Sequence, residues 1–275
     1  MDGVVLVLGA GGIRGWAHVG VLKALHEAGV PIASIVGASA GALVGPMYAA
    51  RRDVDGMVRL ALSADMASLT AWFLGGLRIA PDAWGFGRAL WHAYGHMDFA
   101  ELAVPFAAAV IDVAAGRRYL VTQGNVGRAV EASIRSPVLC PPVWIDGRPL
   151  VDGGLHDTVP LGLARRLYGR EAPLVAVPVG EFYVLPASLR PLSDRVARWL
   201  RRRCPDPASR LGQVAFMARL LSLGRPVRPE PMLAIRPDLR GISAFLPFGM
   251  ARAVRQGERA ARRALPAIRR LLAES

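Results

Sequence analysis

The stretch from Ser34 to Ala50 constrains this chain more than any other. Ser34-Ile35-Val36 closes a short apolar run, Gly37-Ala38-Ser39-Ala40-Gly41 is a G-x-S-x-G segment, and Ala40 to Ala50 is rich in Ala, Leu and Val. The apolar run predicts the end of a buried strand, and the segment after it predicts a helix. A serine at a sharp strand-to-helix turn holds its Oγ above the sheet, flanked by glycines where crowded, strained backbone excludes a Cβ. The helix that follows aims its free N–H groups and positive dipole end at charge developing near Ser39. Gly, Ser and Ala are common residues, so the pattern needs agreement from elsewhere in the chain.

Ala28 to Ala50 carries no charged residue and is long enough to resemble a membrane span. Pro31, Pro46 and four glycines interrupt it, and a buried strand-turn-helix accounts for it better. Met1-Asp2-Gly3 followed by Val4 to Leu8 lacks a basic region and is too short for a secretory signal. The expectation is a cytoplasmic protein in peripheral contact with a membrane at most, without signal peptide or transmembrane helix. At 275 residues the chain fits one α/β domain, residues 1–275.

Val4 to Leu8 reads as a buried parallel strand, followed by Gly9-Ala10-Gly11-Gly12-Ile13-Arg14-Gly15 and a helix through Leu25. A dinucleotide-binding G-x-G-x-x-G fails here, because Arg14 stands where a glycine is needed. The acidic residue expected some 20 positions on is also missing, as is a phosphate-binding lysine. A glycine-rich strand-to-helix loop with bare N–H groups remains, suited to any anion, a tetrahedral oxyanion included. A tight turn without a ligand gives the same pattern.

Further along, Asp53 to Ser63 reads as a helix. Residues 66–97 gather Trp72, Trp84, Phe86, Trp91 and Tyr94 among glycines. A cap over an apolar substrate, an interfacial patch and ordinary core packing of irregular helices all fit that composition. Phe106 to Val113 and Arg117 to Thr122 read as a strand pair, and Val126 to Ile134 as a helix. Val143-Trp144-Ile145 and Pro149-Leu150-Val151 flank a hairpin turn at Asp146-Gly147-Arg148, and the second strand runs into Asp152-Gly153-Gly154. A helix over Pro160 to Tyr168 and a strand over Leu174 to Val179 complete the alternation of a largely parallel sheet.

Residues 186–275 read as a helical, basic part of the same domain. Leu192, Val196, Trp199 and Leu200 form an apolar stripe among Arg195, Arg198, Arg201, Arg202 and Arg203. Such a helix lies on an anionic membrane or serves as a solvated surface helix. Ala251 to Leu272 reads as a second arginine-studded helix packed on the domain. The net charge of +13 is almost wholly arginine, so it permits attraction to anionic surfaces without naming one. A nucleic-acid role would rest on charge alone, with no recognition motif. Cys140 and Cys204 form no metal spacing and no disulfide framework; the sequence calls for no metal and no cofactor.

Histidines narrow the chemistry. His18, His26, His92, His96 and His156 are the five, and none follows His156. A Ser…Asp…His order of the α/β-hydrolase kind would need His156 with Asp152, Asp112 or Asp146 before it. A simpler arrangement lets a carboxylate take the proton from the serine directly, within hydrogen-bond reach. Asp152 ends a strand as Ser39 follows one, so in a parallel-dominated sheet both would project at one carboxyl edge. Asp152-Gly153 also reads as a plain turn.

Taken together, three blocks resemble the patatin-like phospholipases, particularly compact bacterial members. These are Gly11-Gly12-x-Arg14-Gly15, Gly37-x-Ser39-x-Gly41 and Asp152-Gly153-Gly154. Arg135-Ser136-Pro137, Pro141-Pro142-Val143 and Asp157-Thr158-Val159-Pro160 agree as well, and the resemblance runs over residues 4–272. The family's usual first glycine is Ala10 here, and the asparagine common after the acid block is Thr158. The resemblance implies a three-layer α/β/α sandwich and a Ser-Asp dyad hydrolysing lipid or phospholipid acyl esters. Ser39 would be the nucleophile and Asp152 the base. The N–H groups around Gly11, Gly12 and Ile13 would form the oxyanion hole, with Arg14 shaping that loop. The alternative is a non-catalytic, membrane-associated regulatory or interaction protein on the same fold.

Overall fold

The computed structural model describes residues 2–63, 85–135, 141–180, 190–203, 209, 212, 214, 215, 218, 233–244 and 248–274. The strands are β1 (Val4–Leu8), β2 (Ile32–Ala38), β3 (Phe106–Asp112), β4 (Arg117–Val121), β5 (Val143–Ile145), β6 (Arg148–Asp152), β7 (Leu174–Val177) and β8 (Leu233–Ala234). The helices are α1 (Ala17–Glu27), α2 (Ala40–Arg51), α3 (Val54–Ser63), α4 (Gly85–Leu90), α5 (Val126–Ser133), α6 (Leu161–Tyr168), α7 (Arg190–Arg203) and α8 (Met250–Ala273).

All five residues of β1 are buried, and burying each such side chain stabilises by about 1.5–3 kcal/mol. Their alternation builds the layers. Val4, Leu6 and Leu8 join the main core with α1, α2, α3, α5 and α8. Val5 and Val7 face the other way, onto Leu174, Ala176 and Ala164 of α6. The result is the expected α/β/α sandwich, with a mixed rather than uniformly parallel sheet. It is parallel from β3 through β2, β1 and β7 to β8, and antiparallel where β4 and β6 meet β3 and where β5 meets β6.

β3 has three partners and only two edges. β4 pairs with Ala108 to Asp112, which overlaps the register of β2 (Phe106 to Ala109) and that of β6 (Val110 to Asp112). β4 therefore occupies one edge alone, and β2 and β6 share the other. They run toward each other along it: β2 ends at Ala38 opposite Ala109, and β6 ends at Asp152 opposite Val110. The β5–β6 hairpin closes through Asp146 (φ 49°) and Gly147 (φ 71°), the paired left-handed turn that suits strand twist.

The aromatic stretch expected as a cap lies outside the described residues over 66–84. In its remainder, Leu90 and Tyr94 are fully buried, and the Tyr94 hydroxyl donates to the Leu43 carbonyl of α2 at 3.2 Å. Among the described residues, no helix is long and apolar enough to cross a membrane.

Candidate active site

Ser39 sits between β2 and α2 with φ 52° and ψ −116°, a left-handed backbone that costs a non-glycine residue about 1–3 kcal/mol. The glycines around it are imposed by contact. A Cβ on Gly37 would lie 2.5 Å from the Gly41 carbonyl oxygen, and one on Gly41 would lie 2.2 Å from the Leu8 carbonyl oxygen. This close stacking turns the chain sharply from strand to helix and leaves Ser39 partly exposed at the helix start. The Leu43 amide already returns to the Ser39 carbonyl at 2.9 Å.

Asp152 reaches Ser39 by a different route from the one expected. It does not leave a parallel strand at the carboxyl edge; it ends β6, which is antiparallel to β3 and meets β2 end to end. Gly153 permits the next turn, since a Cβ there would lie 2.4 Å from the Ala109 carbonyl oxygen, and a Cβ on Gly154 would lie 2.3 Å from the Ala10 Cβ. Oδ1 of Asp152 accepts the Gly154 amide at 2.8 Å, and the Ser39 side chain lies beside the same carboxylate: a Cβ on Gly154 would lie 3.1 Å from Oδ1 and 3.6 Å from the Ser39 Cβ. Burial pushes the Asp152 carboxyl up to about 7, against the opposing pull of the Ser39 side chain and the Gly154 amide. A carboxylate deprived of water is a stronger base for a neighbouring hydroxyl.

The glycine-rich loop lies alongside. The Ile13 amide donates to the Ala244 carbonyl at 2.9 Å, and the Arg14 amide returns to the Gly11 carbonyl at 3.2 Å. The Ile13 amide, one of the expected donors, is thus engaged, as is that of Arg14, and of the amides expected to face an oxyanion those of Gly11 and Gly12 remain as candidates. Arg14 shapes the loop from outside: its Nε donates to the Ile242 carbonyl at 2.7 Å. Gly12 needs its φ of 56° and its missing side chain, because a Cβ would lie 2.2 Å from the Ala244 carbonyl oxygen. The departure at Ala10 fits because Gly154 leaves room for its methyl group. Thr158 meets the loop through its backbone, its carbonyl accepting the Ala10 amide at 2.7 Å, a contact open to any residue.

The histidines have other tasks. His18 is fully buried and donates from Nε2 to the Gly9 carbonyl at 2.8 Å. Burial lowers its pKa to about 4, against that hydrogen bond, so it stays neutral and braces the loop. His156 is held below its ordinary value by burial and by Arg118. Asp112 accepts the Ala115 amide at 2.9 Å, and Asp146 lies in the hairpin turn, so neither completes a triad. A cavity of about 330 Å³ lined by Tyr119, Gln123, Asp146 and Arg148 includes neither Ser39 nor Asp152.

No bracing role is legible in the sequence for the residues that hold this site, Arg135 having figured only in the family resemblance. Ser133 and Arg135, at the end of α5, bond to the backbones of Ser39 and Asp152 at 3.1 and 3.0 Å. Ile242 and Ala244 hold the glycine-rich loop. These partners are remote in sequence, so no local pattern announces them.

Comparison with known proteins identifies the family and the fold. The family model described as patatin-like phospholipase matches residues 6–165. The chain is 31% identical over 189 residues to neuropathy target esterase of Drosophila melanogaster, covering 65% of this chain and 13% of that protein. It is 36% identical over 164 residues to an uncharacterized NTE family protein of Mycobacterium tuberculosis, covering 58% of this chain and 44% of that one. The chain therefore spans less than half the length of these relatives. The crystal structure of VipD from Legionella pneumophila superposes with a TM-score of 0.56 at 16% identity, covering 97% of this chain and 67% of VipD, a likeness of fold.

Proposed function

This chain belongs to the patatin-like phospholipase family, and from that premise we propose that it is a serine acyl hydrolase cleaving lipid or phospholipid acyl esters with a Ser39–Asp152 dyad. The observation that carries the reading is a buried Asp152 carboxylate placed beside the Ser39 side chain, both next to the position that a Cβ on Gly154 would take. Ser39 Oγ attacks the ester carbonyl carbon while Asp152 takes the hydroxyl proton. The amides of Gly11 and Gly12, with the free N–H groups at the start of α2, stabilise the oxyanion. Collapse breaks the acyl–oxygen bond, and Asp152 returns the proton to the departing alcohol, leaving Ser39 acylated. Water then attacks the acyl carbon, giving a proton to Asp152. The second collapse releases the fatty acid and restores the Ser39 hydroxyl.

Peripheral contact with an anionic membrane belongs to the same reading. Leu192, Val196 and Trp199 form an exposed stripe on α7, with exposed Arg195, Arg198 and Arg202 along one flank. An apolar stripe beside arginines suits a negatively charged lipid surface.

Reaction with a fluorophosphonate, read by intact mass, tests the dyad. One adduct on the wild type, absent in Ser39→Ala and formed much more slowly in Asp152→Asn, is the expected result. A folded wild type that takes no adduct, with or without lipid vesicles, overturns the reading.

A further inference from the structure

The dyad stands where the sheet is interrupted. On the shared edge of β3, β2 has ended and β6 arrives from the opposite direction, so the Ser39 amide and the Ala109 carbonyl fall at a gap in the ladder. Ser133, the last residue of α5 and fully buried, fills that gap. Its Oγ donates to the Ala109 carbonyl at 2.7 Å and accepts the Ser39 amide at 3.1 Å. The single hydroxyl proton is committed to Ala109, so a lone pair faces Ser39, the polarity that the amide requires. Two residues on, the Arg135 carbonyl accepts the Asp152 amide at 3.0 Å, and the buried Arg135 side chain pairs with Glu131 of α5. One turn of chain grips the backbone of both dyad residues.

We propose that Ser133 is a positioning residue for acyl transfer: its hydroxyl replaces the missing rung between β3 and the Ser39 turn and holds Ser39 in its left-handed backbone. The inference rests on Ser39 being the nucleophile. A strained backbone persists only where its surroundings over-determine it, and among the described residues Ser133 supplies the side-chain contact at the Ser39 amide. Without it the turn relaxes toward ordinary dihedrals, and Oγ moves relative to both Asp152 and the oxyanion donors. Displacement on the order of 1 Å at a reacting atom costs up to about a hundredfold in rate.

The test compares wild type, Ser133→Ala, Ser133→Cys and Val130→Ala by fluorophosphonate labelling rate, ester kinetics and melting temperature. Val130 is fully buried on the same helix and controls for general loosening. Ser133→Ala is expected to lower kcat and the labelling rate by about ten- to a hundredfold with KM nearly unchanged. Ser133→Cys, with a weaker donor and acceptor in the same place, falls between. Val130→Ala loses melting temperature but keeps its labelling rate. A folded Ser133→Ala or Ser133→Cys that labels at the wild-type rate overturns the proposal, as does an equal rate loss in Val130→Ala. A wild type that takes no label overturns instead the assignment of Ser39 as nucleophile.

Discussion

Gly20 of α1 meets Val254 of α8 so closely that a Cβ on Gly20 would lie 1.9 Å from the Val254 carbonyl oxygen. Gly257 stands in the same relation, 1.9 Å, to the Ala17 carbonyl oxygen. Two helices far apart in sequence thus touch backbone to backbone, and α8, outside the residues matched by the family model, is bolted to the helix that follows the glycine-rich loop. Lys23 with Glu258 at 3.3 Å and Arg262 with Glu27 at 2.7 Å flank the crossing, but ion pairs of this exposure contribute about 0–1 kcal/mol. Gly20→Ala and Gly257→Ala should each destabilise by about 1–3 kcal/mol or more, since backbone must move to admit the methyl. Lys23→Ala should cost under about 1 kcal/mol. Urea unfolding midpoints decide it, and an unchanged midpoint for Gly20→Ala contradicts the close crossing.

The Asp152 titration should appear in both activity and stability. As a base it acts only when ionised, so kcat/KM should rise about tenfold per pH unit and level off above about pH 7. Its raised pKa means that the folded state binds this proton more tightly than the unfolded chain. The contribution to stability is therefore full below the ordinary carboxylate range, is lost as pH rises from there to about 7, and stays lost above. Asp152→Asn removes that loss while keeping an oxygen to accept the Gly154 amide. It should be inactive, yet more stable than wild type by about 2–4 kcal/mol at pH 8 and by almost nothing at pH 4. Chemical denaturation at the two pH values checks this, and equal differences at both would contradict a buried, ionising Asp152.

Vesicles offer a direct check on α7. Sedimentation with phosphatidylserine-containing vesicles should exceed that with neutral ones and fall as salt rises, since arginines near a surface are screened within a Debye length. Trp199→Ala should weaken binding at every salt concentration, whereas Arg195→Gln with Arg202→Gln should weaken it mainly at low salt. Equal binding to neutral and anionic vesicles would rule out the charge-directed part of the reading.

Much of this site was legible in the sequence, because strand-turn-helix at Ser39 is a local event. Its glycines, apolar strand and Ala-rich helix lie within a few residues of one another, and the Asp146-Gly147 hairpin announces itself in the same way. The meeting of Ser39 with Asp152 was legible only as an expectation of shared edges, and the reason differed: β6 arrives antiparallel and end to end with β2. Ser133 reads as an ordinary polar residue at a helix end, for its partners Ser39 and Ala109 lie far away along the chain. Gly257, inside an arginine-rich helix, gives no sign of Ala17. Local dihedral constraints show in sequence, while contacts made across the sheet edge and between distant helices do not.

Arg14 links the glycine-rich loop, which bears the proposed oxyanion donors, to the C-terminal part of the chain. Its Nε holds the Ile242 carbonyl at 2.7 Å, and the adjacent Ile13 amide holds Ala244 at 2.9 Å, so the loop bearing Gly11 and Gly12 is pinned from one side. Arg14→Ala removes one pin without touching Ser39 or Asp152. The oxyanion amides lose their fixed aim, and donors that are not preorganised stabilise the transition state poorly. Kcat on a soluble ester should fall about ten- to a hundredfold while KM changes little, because the loop acts on the developing oxyanion rather than on ground-state binding. Arg14→Lys, whose ammonium is a point donor on a flexible stem, should recover only part of the loss. A kcat for Arg14→Ala within about twofold of wild type would mean that the Ile13–Ala244 bond alone fixes the loop.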